Sequence, residues 1–296
     1  MGLAGKSNEL VFKIGLFVIC SLIFLVIAYP LYFIVIASVS DSTLVSTGKV
    51  LLFPKGVSLF GYKEIFKDER IWQGYGNTIL YTALGTFVNL LFTIPAAYAL
   101  ARQEFKARRV IMLAFVLTMF FNGGLIPTFL LMRDLHLTDS MWVFILPFSV
   151  NVYNLIIART FFENSLPKEL YEAAAIDGCS HLRYFASVAL PLSRAMLSVI
   201  GLYYLVAHWN DFFTALIYIR SNHLQPLQVV LRDILLSNQV FANGIGLGGD
   251  LGGYAQRYAD QIKYGVIIVS TLPILVVYPF IQKYFEKGVM IGSIKG

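Results

Sequence analysis

The chain has 296 residues, of which 57% are hydrophobic and only 14% are charged, with a mean hydropathy of +0.70. A water-soluble protein needs about a quarter charged residues to hydrate its surface, so this composition excludes an ordinary soluble enzyme. In a membrane protein the formal net charge of +6 indicates Lys and Arg on cytoplasmic loops rather than a nucleic-acid partner.

Six runs are apolar enough and long enough to cross a bilayer, which takes about 20 residues. They are 14–37, 77–101, 110–131, 141–158, 195–219 and 264–282. The first run is too long for the apolar region of a signal peptide, so we interpret it as a retained anchor. The sequence therefore predicts an all-α integral membrane protein with six transmembrane helices.

The distribution of positive charge predicts that both termini are cytoplasmic. In that orientation the inner segments hold more than half of the 23 Lys and Arg residues, as the positive-inside pattern requires. These inner segments are 1–13, 102–109, 159–194 and 283–296. The predicted organisation is an N-terminal anchor helix with an outer loop (1–76), a core of five transmembrane helices (77–282) and a cytoplasmic tail (283–296).

The inner loop at 165–191 is the polar segment with the clearest local signals. Pro167 suits the first turn of a helix because it has no N–H to lose there, and Gly178 suits the left-handed residue that ends one. A second helical run, 181–189, is expected to stop at Leu190-Pro191. From chemistry alone, the first helix is equally well an amphipathic connector or a docking helix for the groove of another protein.

This loop resembles the EAA signature of ABC importer permeases. It carries Glu172-Ala173-Ala174, then Gly178, then Leu190-Pro191. Other stretches resemble the carbohydrate-uptake branch, of the maltose second-permease type and especially its polysaccharide and lipo-oligosaccharide relatives. Those stretches are Asn77-Thr78, Asn122-Gly123-Gly124-Leu125-Ile126-Pro127, Arg159-Thr160-Phe161-Phe162 and His208-Trp209-Asn210.

The resemblance implies a type I permease fold in the bacterial inner membrane. One such subunit pairs with a second, homologous permease, two ATP-binding subunits dock below, and an extracytoplasmic solute-binding protein delivers the sugar from above. The chain itself binds no cofactor, and ATP and magnesium belong to the partner ATPase subunits. The residues that the resemblance assigns to ATPase docking are Glu172, Ala173, Ala174, Asp177, Gly178, Leu190 and Pro191.

Polar residues inside the fourth and fifth runs are candidates for the substrate path. Asp211 is the first candidate, because an ionisable group at membrane depth needs a partner or a water-filled cavity. On a continuous helix it shares one face with Tyr204 and His208. The candidates are Asn151, Tyr153, Asn154, Tyr204, His208, Asn210 and Asp211. Hydrogen bonding between helices is the alternative role for these residues.

Two other functions are open alternatives. An integral-membrane enzyme acting on a glycan or lipid needs paired carboxylates or a metal cluster, whereas Asp211 is a solitary deep carboxylate. An ion-coupled secondary sugar transporter usually has an internal repeat, and none is evident here. The basic outer segments make an acidic glycan such as alginate attractive, with neutral sugars as the alternative. Their basic residues are Lys49, Lys55, Lys63, Lys67, Arg70, Arg220, Arg232 and Arg257.

Overall fold

The computed structural model describes residues 3–243, 262–277 and 279, and all regular structure in these residues is helical. The α-helices are α1 (Leu3–Ser38), α2 (Ser42–Ser46), α3 (Phe60–Lys67), α4 (Glu69–Ala101), α5 (Arg108–Phe120), α6 (Leu125–Asp134), α7 (Trp142–Ile145), α8 (Val152–Ser165), α9 (Lys168–Ile176), α10 (His181–Tyr184), α11 (Leu190–Leu192), α12 (Arg194–Trp209), α13 (Phe213–Tyr218), α14 (Leu227–Asn243) and α15 (Ile262–Val277). A π-helical turn, Phe185–Ala189, joins α10 to α11, and a 3₁₀ turn occupies Asn222–Leu224.

The chain forms two compact units. One unit contains Met1–Glu69 and Leu231–Leu272, and the other contains Arg70–Val230 and Pro273–Gly296. The predicted boundaries after residues 76 and 282 stay a prediction.

In the first unit, α1 confirms that the first apolar run is a single helix. None of its most apolar window is buried within the chain. Its C-terminal part is fixed to the segment that follows, where the Tyr29 hydroxyl donates to the Leu51 carbonyl at 3.2 Å and Asp41 accepts from the backbone of α2. Helix α1 therefore presents its apolar surface to surroundings that lie outside the chain.

In the second unit, α4 is one helix of 33 residues that continues through Pro95. Its C-terminal half packs Ile94 and Ala97 into a core with Leu155 of α8 and Ile200 of α12, and all four are at least 97% buried. Its N-terminal half packs Tyr81 flat against Phe144 of α7, with ring centroids 4.6 Å apart. Helix α4 thus contributes to two hydrophobic cores of this unit.

The third apolar run is broken, which the prediction of a single helix missed. The chain bends by 116° between α5 and α6, across residues 121–124. Gly124 has φ +85°, a backbone conformation that costs glycine far less than any residue with a Cβ. The two glycines at 123–124 therefore supply the bend.

The fourth and fifth runs are also interrupted, so continuous helices over 141–158 and 195–219 are wrong predictions. Residues 146–151 separate α7 from α8, and Phe148 there has φ +57°. Residues 210–212 separate α12 from α13. Within the described residues, two helices are long and apolar enough to cross a membrane, α1 from Phe12 and α4. The count is four if the bent pairs α5/α6 and 181–192/α12 are each one span.

Candidate functional site

Helix α9 has the predicted start and end. It begins directly after Pro167, and Gly178 has φ +74°. The Gly178 N–H donates to the Ala175 carbonyl at 3.0 Å and the Cys179 N–H to the Ala174 carbonyl at 2.9 Å. These two bonds form a Schellman motif, in which a left-handed residue turns the chain sharply away from the helix. The direction of the segment after α9 therefore depends on Gly178.

The outward face of α9 is open. None of its nine residues is buried, and Glu172 and Ala173 are exposed, as is Asp177 at its end. Two large apolar side chains stand beside them, with Ile176 87% and Leu182 77% exposed. Exposed apolar side chains rimmed by polar groups are typical of a protein-binding surface. We call the surface formed by Glu172, Ala173, Ile176, Asp177 and Leu182 the α9 face.

The inward face of α9 is held by Tyr171, which the sequence reasoning missed. The Arg102 guanidinium carbon lies 3.7 Å from the centroid of the Tyr171 ring, a cation–π contact. His181 stacks on the ring at 5.2 Å, and Tyr184 meets it edge-on at 5.2 Å. Lys168 adds a hydrogen bond to Gln103 at 2.8 Å. The loop after α4 is thereby fastened to α9.

A second polar contact set lies beside this one. Glu163 pairs with Arg159 at 2.6 Å and with Arg108 at 3.6 Å, and Arg159 also donates to the Leu100 carbonyl. Glu163 and Arg108 line a cavity of about 400 Å³ together with Arg102, Lys168 and Tyr171. Within α8, Arg159 of the segment 159–162 thus contacts the C-terminal end of α4, and Glu163 contacts the start of α5.

The prediction that the second helical run stops at Leu190-Pro191 is wrong. Helical structure continues to Leu192, with Pro191 inside it and a π-turn just before it. Proline removes one N–H from a helix and crowds the preceding turn. The Leu190 N–H instead donates five residues back, to Phe185, and this wider turn makes room for the ring. The segment bends by 81° into α12 only at Ser193.

Tyr204 and His208 both lie against α4. The Tyr204 hydroxyl is 2.7 Å from the Thr93 hydroxyl and accepts from the Asn151 N–H at 3.0 Å. The His208 Nε2 forms a 3.1 Å hydrogen bond with Asn89. Tyr204 is 97% buried, so in this conformation its contacts are those of the interhelical alternative.

Asn210 and Asp211 lie at the break, so Asp211 does not continue the helical face of Tyr204. Asp211 is half-buried and accepts from the Thr214 N–H at 3.1 Å, which caps the start of α13. The Asn210 amide donates back to the Val206 carbonyl at 2.9 Å. The Asp211 side chain thus satisfies a backbone N–H that the interruption of the helix leaves free, while the Asn210 side chain adds a second hydrogen bond to a carbonyl that already accepts from the Asn210 N–H.

Of the three polar candidate residues in the fourth run, one is buried and two are exposed. Asn154 is buried, whereas Asn151 and Tyr153 are exposed and line a groove of about 590 Å³. The candidate path residues are therefore not gathered in one cavity. Asn151 and Tyr153 share the groove, Tyr204 lies behind Asn151, and His208 packs separately against Asn89.

The N-terminal part of α4 holds the turn at 222–226. The Asn77 amide donates to the carbonyls of His223 and Gln225, at 2.8 and 3.0 Å, and the Thr78 hydroxyl accepts from the Leu227 N–H at 2.8 Å. These bonds explain locally why polar residues stand at 77–78. A sequence signal existed, because Asn and Thr open an otherwise apolar run, but their partners are about 150 residues away.

Asp139 fastens the neighbouring turn. Its carboxylate accepts from the Ser221 hydroxyl and from the N–H groups of Ser221 and Arg220, at 2.6, 2.8 and 3.0 Å. These bonds, led by the Ser221 hydroxyl, hold the pKa of Asp139 below its usual value. Ionised Asp139 therefore ties the loop after α6 to the end of α13.

The long apolar helices, the broken spans and the exposed helix α9 define a multi-pass membrane protein. The profile of the family described as binding-protein-dependent transport system inner membrane component matches residues 71–291. The chain belongs to this family. It is an inner-membrane transport component and not an enzyme, and the resemblance to ABC importer permeases is confirmed.

Several relatives match over nearly their full length. Protein LplC of Bacillus subtilis is 40% identical, and the match covers 95% of each chain. The polygalacturonan/rhamnogalacturonan transport system permease protein YtcP of Bacillus subtilis is 38% identical over 92% of this chain and 94% of that one. A solved bacterial ABC transporter involved in the import of the acidic polysaccharide alginate contains a chain with a TM-score of 0.82. That chain is 32% identical, and the match covers 94% of this chain and 98% of that one.

Proposed function

We propose that this chain is one of two permease subunits of an ATP-driven importer for an oligo- or polysaccharide. The observation that carries the proposal is the exposed α9 face, which follows the EAA pattern and ends in a Schellman motif at Gly178. A relative named as a polygalacturonan/rhamnogalacturonan transport system permease and a solved transporter involved in alginate import support a sugar as the cargo. In this proposal a second permease, two ATPase subunits and a solute-binding protein complete the transporter.

The α9 face is the proposed contact with the ATPase subunit. Glu172 and Asp177 are exposed for pairing with basic side chains, and Ala173 leaves room for close approach. The α9 face is supported from the protein side by Ala174, Leu190 and Pro191. Ala174 and Leu190 pack against the core that contains Ile94 and Ala97, and Pro191 shapes the π-turn. ATP and magnesium are bound by the partner subunits.

The proposed topology has six spans with both termini in the cytoplasm. The fourth and sixth spans are formed by residues around α7/α8 and α15, and residues 278 and 280–282 of the sixth lie outside the described residues. The tail at 283–296 also lies outside them. Support for the orientation comes from the Lys and Arg residues of the inner segments.

We expect this orientation to be visible by labelling. In a background lacking Cys20 and Cys179, a Lys168→Cys subunit should react with an impermeant maleimide only after the inner membrane is opened. A His223→Cys subunit should react in intact spheroplasts, because His223 lies on the exposed turn at the other end of α4. The reverse labelling pattern contradicts both the orientation and the role of α9.

The proposed cargo is an acidic glycan. One relative is named for polygalacturonan/rhamnogalacturonan transport and the solved neighbour for import of the acidic polysaccharide alginate. The outer segments carry Lys49, Lys55, Lys63 and Arg220 as exposed basic residues. The candidate path residues of this subunit are Asn151, Tyr153, Asn154, Tyr204, His208, Asn210 and Asp211. In this proposal some of them contact the cargo, and the others hold the contacting groups in place.

The complete transporter, reconstituted with its binding protein, tests the function. We expect ATP hydrolysis to rise several-fold with uronate oligosaccharides such as galacturonan or alginate fragments, and less with neutral maltodextrins. Stimulation by neutral sugars alone overturns the acidic cargo. ATP hydrolysis and uptake that respond to none of the saccharides contradict the sugar-importer proposal.

A further inference from the structure

Two helix breaks meet at the groove lined by Asn151 and Tyr153. Its walls also contain Phe121 and Asn122 from the α5/α6 break and Phe148 from the α7/α8 break. Both breaks fall near the middle of apolar runs, at 121–124 and 146–151. Non-helical backbone at membrane depth is tolerated only where it is buried in protein or lines a water-filled cavity. The groove is open and has polar residues in its lining, so it is suited to water and polar ligands rather than to lipid chains.

The two amides in the groove have fixed orientations. The Asn122 Oδ1 accepts from the Gly124 N–H at 2.9 Å, and the Asn151 Oδ1 accepts from the Asn154 N–H at 3.1 Å. Since the oxygen of each amide is bound to the backbone, each NH₂ group is left to donate. The Thr118 and Thr128 hydroxyls already donate to backbone carbonyls of their own helices. The groove therefore presents amide donors to a ligand with acceptor oxygens.

Aromatic rings supply the rest of the surface. Phe121 is 77%, Phe148 76% and Tyr153 60% exposed. Exposed rings beside a few placed polar groups suit the apolar face and the hydroxyl edge of a sugar ring. None of the described residues that line the groove is charged. These residues therefore do not distinguish a uronate from a neutral pyranose by fixed charge.

We propose that this groove is a sugar subsite of the permease, which binds a pyranose ring on Phe121, Phe148 and Tyr153 and its acceptor oxygens on the Asn122 and Asn151 amides. The proposal rests on the sugar-importer function above and adds the recognition chemistry. It assigns no selectivity for charge to this subsite, so preference for an acidic glycan arises elsewhere in the transporter.

Asn122→Asp and Asn151→Asp variants test the subsite. Aspartate keeps the oxygen that accepts the backbone N–H, removes the NH₂ donor and adds a negative charge. With saturated binding protein, each variant complex should take up a neutral oligosaccharide about fivefold more slowly, as expected for one lost hydrogen bond. Uptake of a uronate oligosaccharide should fall tenfold or more, because the new carboxylate repels it.

An Asn222→Asp variant is the matched control. Asn222 lies on the outer turn, outside the groove, and its Oδ1 accepts a hydrogen bond from Gln225 that aspartate preserves. Uptake of the neutral oligosaccharide, which carries no charge for the new carboxylate to repel, should stay at the wild-type value. Groove variants that transport both sugars like the wild type overturn the subsite. Variants that lose the second permease on purification also overturn it, and assign the groove to the subunit interface. If the wild-type complex takes up no saccharide, the failure lies in the proposed function.

Discussion

A Gly178→Val subunit is expected to lose its ATPase partners. No atom lies within 4 Å of a Cβ built on Gly178, so valine fits sterically and its cost is conformational. Holding a β-branched residue at φ +74° costs about 1–2 kcal/mol, which the Schellman motif cannot recover. The chain after α9 is then redirected, and His181 and Leu182 with it. Co-purification of the ATPase subunits with the permease measures the effect.

Gly178→Asn is the matched variant, because asparagine adopts the left-handed conformation more readily than other residues with a Cβ. It should retain the ATPase subunits and most of the sugar-stimulated hydrolysis. Membranes that carry Gly178→Val should still bind the loaded solute-binding protein, since the outer face is unchanged. Normal hydrolysis and a full complement of ATPase subunits in the valine variant would show that α9 is not the docking element.

A Gly85→Ala subunit is expected to be strongly destabilised. A Cβ on Gly85 lies 2.5 Å from two atoms of the His208 ring, far inside van der Waals contact. Overpacking of this kind costs about 1–3 kcal/mol. Moving the ring away breaks its bond to Asn89, which is 95% buried, and an unpaired buried amide costs about 1–3 kcal/mol more. The melting temperature and the yield of the purified complex should both fall.

Two further variants isolate the contact. Gly201→Ala places a Cβ 3.6 Å from Leu90, an ordinary contact in the same unit, and should leave the melting temperature close to that of the wild type. Adding His208→Ala to Gly85→Ala removes the colliding ring. The double variant should therefore lose less stability than the sum of the two single changes. Strict additivity would show that His208 and Gly85 do not pack together.

Apolar length was enough to predict an all-helical membrane protein and the long helices α1 and α4, and the local signals at Pro167 and Gly178 were enough to place α9. Both predictions depend on short-range chemistry: twenty residues of hydropathy, or the conformation of one residue. Pro147 frees a carbonyl and left a break in the fourth run open, whereas the breaks at 121–124 and 210–212 were not predicted as interruptions. Hydropathy averages over a window and does not change where a helix bends inside an apolar run. Gly123-Gly124 was visible, but glycine is also common inside intact membrane helices.

The partners of the polar residues could not be read from the sequence for a different reason. Tyr171 meets Arg102 across 69 positions, and Tyr204 meets Thr93 across 111. No periodic pattern links such pairs. Tyr204, His208 and Asp211 share a face only on a continuous helix. Because α12 ends at Trp209, Asp211 does not lie on that face. Polar residues in an apolar run indicate that a partner exists without identifying it.

The length of α4 has a mechanical consequence. At 1.5 Å per residue its 33 residues reach about 50 Å. Arg102 directly follows its C-terminal end and forms the cation–π contact with Tyr171. Near its N-terminal end, the Asn77 amide donates to the carbonyls of His223 and Gln225. In the proposed docking role of α9, a displacement of that helix by the ATPase subunit reaches the turn at 222–226 through the single helix α4, without crossing the breaks at 121–124, 146–151 and 210–212.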